Sequence, residues 1–317
     1  MSASDQLLRQ FAFFSANLQH LLPSIDFDQH AYLFKSLLSR RSDQSMNRLM
    51  KCHFNGFPGH DLDKHLLSAP SIFATFHYGN YTLLPAMLLH SRVPFSVLIS
   101  TDVAKEQREK YEQIQLKLQG KIDSDLFSLI IAESPTVLFQ MKEAIKDNKH
   151  IVTYMDGNMG SVSRQGDKNT LRLKFLNQEL RVRTGIAHLA FMLACPIHLA
   201  IMANNADSQN PFVFYKRLMP AKKCTRLEYV NETVSHIYSL FSKVLERDPV
   251  GWEGWLYVHF DLVISDEKKL KLFFKHYIPF SIGQNYFLLE KDTFDSIPID
   301  RPAYRKLKAE MLNYVGI

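Results

Sequence analysis

Up to residue 65, apolar positions recur every three or four residues, and the pattern predicts helices over 5–22, 30–39 and 43–51. Beyond that point short apolar runs alternate with amphipathic stretches. The runs SIFATF (71–76), PFSVLIS (94–100), FSLIIA (127–132), HIVTYM (150–155) and PIHLAIM (196–202) have the length and composition of strands. Between them, 80–90, 104–119, 134–148 and 184–194 read as helices, the third with Ser134 as N-cap and Pro135 in its first turn. Residues 156–183 form a long polar stretch with a candidate hairpin. A last long helix over 226–249 is stopped by Pro249. This alternation predicts an α/β fold: a mixed, mostly parallel sheet flanked by helices and preceded by N-terminal helices. In such sheets ligands bind beyond the carboxyl ends of the strands, where both His77 and Asp156 fall.

The pattern changes after residue 264. YIPFSIGQNYFLLEKDTFDSIPID reads as two or three short strands, followed by a short helix from Pro302. The expected organisation is a main domain over 1–263 and a small C-terminal α+β appendage over 264–317. A chain of 317 residues has room for both. A hydrophobic share of 46% places it among folded rather than disordered chains. Its net charge of +6 favours an anionic partner: a phosphate-bearing cofactor, an acidic carrier protein, a membrane surface or nucleic acid. Nucleic acid is set aside because aromatic residues are not interleaved with the basic ones. The amphipathic N-terminus carries Asp5, Arg9 and His20, unlike a signal peptide. No window holds roughly 18 consecutive apolar residues, so no transmembrane helix is expected. Cys52, Cys195 and Cys224 are widely spaced and read as reduced thiols of a cytoplasmic protein, Cys195 as a small core residue.

Three features carry candidate chemistry. His77 follows the first strand directly, and its imidazole could take a proton from a hydroxyl or amine near neutral pH. Gly79 and Asn80 then open a helix whose backbone N–H groups favour an anion. The plainer reading is a buried structural histidine, one of 13 in the chain. Asp156, in YMDGNMG, is placed to orient a base or bind a ligand, and equally to make an Asp-Gly turn. From Arg164 to Arg183 six basic residues face two acidic ones, and alternation in LRLKF and LRVRT would put Arg172, Lys174 and Arg183 on one side of a ribbon. Such a face could hold a cofactor's phosphates or an acidic carrier; a solvated surface explains it as well. No zinc spacing, Walker loop, dinucleotide fingerprint or nucleophile elbow is present, so neither a metal nor a bound cofactor is expected.

Two stretches together resemble the lysophospholipid acyltransferase superfamily, in particular its lipid A late acyltransferase branch. FATFHYGNYTLL is similar to that branch's first motif, a histidine followed by a Gly-Asn-aromatic-acid run. IVTYMDGNMG, with LRLKFLNQELRVRTGIAHLAFMLACPIHLAIM after it, is similar to the later block: an Asp after a strand, a hairpin, Thr-Gly, a helix and a Pro-led strand. ERDPVGWEGWLYVHF resembles the closing Trp-containing segment, so the likeness spans residues 65 to 262. It implies a glycerolipid acyltransferase-like fold and a biosynthetic acyl transfer from a CoA or acyl-carrier-protein thioester, the donor being a substrate and not a resident cofactor. His77 would be the general base, with Asp156 and Thr184-Gly185 matching the family's later motif.

Three departures shape the expectation. Thr82 stands where the family has Asp or Glu; its hydroxyl could orient a ring but supplies no charge. Asp156 first and Glu133 second are the acids that could replace it, since both follow strands. Ser100 and Thr101 stand where the family has an acceptor-binding arginine, which argues against a lipid A precursor. The family's N-terminal membrane anchor is missing, which implies a soluble, carrier-bound or peripherally membrane-bound acceptor with an amine or hydroxyl. The alternative is a non-catalytic relative that binds an acyl carrier or partner proteins.

Overall fold

The structure, a computed structural model, describes residues 3–42, 69–157, 169–202, 212–219, 224–263 and 276–316. Helix α1 (Ala3–Leu21) buries Leu8, Phe11, Phe14 and Leu18, the three-and-four spacing of one helix face. Helix α2 (Phe27–Ser42) buries Phe34 and Leu37. The helix expected over 43–51 lies outside the described residues. The anticipated alternation follows: β1 (Ile72–Thr75), α3 (Leu83–His90), β2 (Phe95–Ile99), α4 (Thr101–Gln119), β3 (Phe127–Ile131), α5 (Val137–Lys146) and β4 (His150–Tyr154). Ser134 does not cap α5. Its hydroxyl accepts from the Thr136 N–H, and the Val137 N–H bonds back to the Ser134 carbonyl at 3.1 Å. A turn therefore precedes the helix, and Thr136 takes the N-cap position.

The polar stretch does hold a hairpin, β5 (Thr170–Phe175) and β6 (Gln178–Arg183). Helix α6 (Gly185–Met192) and β7 (Ile197–Met202) come next, then β8 (Phe212–Leu218), for which no strand was expected. Helix α7 (Arg226–Arg247) runs into three short 3₁₀ turns between Pro249 and Phe260. The described chain closes with β9 (Leu262–Val263), β10 (Tyr277–Ile282), β11 (Asn285–Glu290), β12 (Ser296–Pro298) and α8 (Arg301–Val315). Asp300 caps α8 by accepting from the Ala303 N–H at 2.7 Å.

Contacts divide the chain into two compact units, and the division does not follow a boundary at residue 263. One unit comprises 40–158 and 183–244; the other comprises 1–39, 159–182 and 245–317. In the second, β10 packs on α1, and the Tyr304 hydroxyl donates to Asp5 at 2.8 Å, so the two ends of the chain share one body. Its sheets are β10-β11-β12 and β5-β6-β9. Trp252 and Trp255 are fully buried edge to face with centroids 5.0 Å apart, and Phe175 meets Trp252 at 5.7 Å.

The first unit is an α/β body with a six-stranded mixed sheet, ordered β3-β2-β4-β1-β7-β8 and flanked by helices. Its first five strands are parallel, and β8 runs antiparallel on β7. β1 and β7 lie inside the sheet and are buried at every position, which explains their unbroken apolar runs. Phe73, Leu84, Leu88, Phe95, Val97 and Val152 belong to its core. Among the described residues no helix is long and apolar enough to cross a membrane.

Candidate functional site

Parallel pairing of β1 with β4 places two sequence-distant residues side by side. The register runs Ile72 to Ile151 through Thr75 to Tyr154, a constant offset of 79, and Met155 N–H still bonds to Thr75 O beyond it. The same offset carries His77 to Asp156. The Asp156 carboxylate accepts the His77 backbone N–H on both oxygens at 3.1 Å and the ring Nδ1–H at 2.9 Å. The Asp156 side chain is 0% exposed and that of His77 is 24%, so the acid is sealed behind a base that solvent reaches. Helix α7 braces both strand ends. Phe241 stacks on Phe76 with centroids 3.7 Å apart, and the Tyr238 hydroxyl donates to Met155 O at 2.9 Å.

The imidazole sits among tyrosines that sequence reading did not single out. It stacks on Tyr154 at 4.5 Å between centroids and 19° between planes, and meets Tyr81 edge-on at 4.8 Å. The Tyr154 and Tyr111 hydroxyls are hydrogen-bonded to each other. Burial pushes the Tyr154 phenol well above its ordinary value and that of Tyr111 up to about 12, so both stay neutral across the physiological range. Each tyrosine carried a weak signal. Tyr154 closes β4 two residues before Asp156, at the turn that leads into it. Tyr81 follows His77 by four, and Tyr111 is a lone aromatic within the charged run AKEQREKYEQIQ. A cavity of ≈ 120 Å³ opens beside these rings, and Val97, Leu98, Ile99, Val103 and Ala132 also line it. A Cβ at position 157 would lie 3.1 Å from Tyr154 O and 3.9 Å from His77 Cε1; Gly157 leaves that rim open.

The other anticipated residues lie as follows. Thr82 is buried at the start of α3, where its hydroxyl donates to Asn80 Oδ1 at 3.0 Å. Glu133 accepts the Thr101 N–H at 3.1 Å and the Thr101 hydroxyl at 3.2 Å at the N-terminus of α4, a helix-end role in place of the expected pairing with His77. Gly79 adopts φ 58°, a left-handed turn that a side chain would strain, between His77 and the buried Asn80. Ser100 lines the cavity. Thr184 is buried at the N-cap of α6. Arg172, Lys174 and Arg183 are exposed, while Leu173, Phe175, Leu180 and Val182 of the same hairpin are buried, as strand alternation requires. Cys195 is buried and its thiol is pushed up to about 11 by burial; Cys52 lies outside the described residues. Among the described residues no three His, Cys, Asp or Glu side chains are placed to hold a metal ion.

The arrangement can take a proton at one imidazole nitrogen while a buried carboxylate holds the other. No family model and no curated protein matches this chain.

Proposed function

We propose that the protein is a member of the lysophospholipid acyltransferase superfamily, close to the lipid A late acyltransferase branch, that moves an acyl group from a CoA or acyl-carrier-protein thioester to a hydroxyl or amine. The observation that carries this reading is the 2.9 Å bond from His77 Nδ1 to a fully buried Asp156, on the strand-end rim beside a cavity. His77 Nε2 takes the acceptor's proton as its oxygen or nitrogen attacks the thioester carbonyl. The tetrahedral intermediate collapses, the C–S bond breaks, and the thiolate leaves with the proton returned from Nε2. Asp156 holds the ring in the tautomer with Nδ1–H and stabilises the imidazolium that forms. No covalent acyl-enzyme is needed. The acceptor is soluble, carrier-bound or at a membrane surface, and the site of action is the cytoplasm. The exposed basic face of the β5–β6 hairpin suits phosphates of the donor or an acidic carrier.

A non-catalytic relative that binds acyl carriers is the second reading. The observation favouring it is that Thr82, at the family's acidic position, spends its hydroxyl on Asn80. Intact-mass analysis of the protein mixed with acyl-CoA and acyl-carrier donors and candidate acceptors separates transfer, hydrolysis and binding. His77→Ala is expected to slow transfer by about 10²–10⁴-fold while the fold survives. A folded variant with the full transfer rate removes His77 from the mechanism.

A further inference from the structure

The wall of the cavity beside His77 says what can enter it. Thirteen described residues line it, and none is Asp, Glu, Lys or Arg. Polar groups are present but neutral: Ser100, Gln107 and Thr153, with the tyrosine rings. Against these described residues a carboxylate or phosphate would lose its water and find a positive partner only in a protonated His77, whose charge the buried Asp156 already balances. It would also meet the field of Asp156, which lies buried behind the imidazole. An ammonium fares no better, because no described lining residue is Asp or Glu and the Asp156 carboxylate is turned onto the His77 backbone and ring. What the described wall offers is aliphatic surface, aromatic surface and neutral hydrogen-bonding groups. The volume of ≈ 120 Å³ is close to that of an apolar cavity of about 150 Å³ that accepts benzene.

We infer that this cavity binds a compact uncharged group, one ring or a short aliphatic chain, whose hydroxyl is presented to His77. As the seat of the acceptor this rests on the acyl-transfer reading, and there it narrows the nucleophile from amine or hydroxyl to hydroxyl. The preference for a neutral ligand stands without that reading and is measured with no acyl donor present.

The experiment titrates the full-length protein with benzyl alcohol, 1-pentanol, benzoate and benzylammonium, following ligand saturation transfer and the His77 ring signals by NMR. A neutral alcohol is expected to bind and to shift the His77 signals, with both ions at least about 10-fold weaker. Benzyl alcohol ahead of 1-pentanol assigns a ring, and the reverse order assigns a short chain. Val103→Trp, at a position 40% exposed on α4, is expected to weaken alcohol binding about 10-fold or more by filling the space; Ala132→Leu serves if the first variant is unfolded by circular dichroism. Equal or tighter binding of either ion overturns the inference, as does alcohol binding unaffected by a folded cavity-filling variant, or no binding of either alcohol at its solubility limit. Loss of acyl transfer with alcohol binding intact instead tells against the proposed reaction alone.

Discussion

At the scale of single residues, the contrast between Asp156 and Thr82 matters most. Thr82 is five positions from His77 in the chain, yet its hydroxyl serves Asn80; Asp156 is 79 positions away and holds the ring. If the dyad is a working base, Asp156→Asn presents an amide to Nδ1, removing the charge that favours imidazolium and disturbing the tautomer. Turnover should fall between about 10- and 10⁴-fold, while Thr82→Val should change it less than about 10-fold. Steady-state kinetics on both variants is the check, and equal effects would deny Asp156 a special role. The His77 ring nitrogen signals should also report a changed tautomer balance in Asp156→Asn, because the carboxylate that accepts from Nδ1–H is lost. That readout does not require an identified substrate.

At the scale of elements, the β5–β6 hairpin shows one pattern with two uses. Its buried row includes Phe175, fully enclosed and edge-on to Trp252. Phe175→Ala should cost about 3–5 kcal/mol in denaturant unfolding, the usual penalty for emptying an aromatic core site. Its exposed row carries Arg172 and Lys174. Replacing both with Gln should leave stability within about 0.5 kcal/mol. It should weaken binding of a phosphopantetheine-bearing donor and flatten the dependence of that binding on salt. Donor affinity unchanged at low salt would assign the pair to ordinary solvated surface. The two rows were legible in the alternation of LRLKF and LRVRT, because a half-buried ribbon imposes period two on its sequence. Whether the pair holds a ligand was not legible, since a solvated face produces the same alternation.

At the scale of the whole molecule, buried histidines set an acid limit on stability. His30 accepts from the Ser15 hydroxyl at 2.8 Å, and Lys291 donates to that same oxygen at 3.1 Å. Burial, with Lys291 adding, lowers His30 to about 3. His259 accepts from Asn17 and stacks on Phe13, and burial, then Arg9, lowers it to about 4. Both groups are neutral when folded, but protonate near 6.5 when unfolded. Above about pH 6.5 neither costs stability; as pH falls toward 4 and then 3, the unfolded chain binds the extra protons and stability drops. The loss is expected to be on the order of a few kcal/mol for the pair. Urea unfolding at pH 7.5 and pH 5 measures it, and His259→Gln should reduce the difference. A stability that does not fall over that interval would contradict the burial of these rings.

The elements themselves were largely readable from the chain. Apolar runs such as SIFATF and PIHLAIM are continuous because β1 and β7 are covered on both faces, and that local record survives in composition. β8 opens with FVFY, an aromatic and β-branched run that is itself a strand signal, so its omission reflects a signal passed over and not one that was absent. Ser134 was misplaced as a cap because a serine before proline suits a turn as well as a helix start. Cys195 was correctly placed in the core by its apolar neighbours.

By itself, then, the sequence determined the alternation of strands and helices, the amphipathic hairpin and the presence of a histidine and an aspartate at strand ends, all consequences of short-range periodicity and steric preference. Only the tertiary structure decided that these two ends are neighbours. The choice between Asp156 and Glu133 turns on strand order: β4 lies beside β1, whereas β3 lies at the edge beyond β2. Strand order depends on how distant segments share one sheet, and no local pattern encodes it. The tyrosines around His77 belong to the same class of fact, since Tyr111 comes to the site from a helix on another crossover. Packing in three dimensions brings together groups whose separation along the chain carries no trace of their meeting.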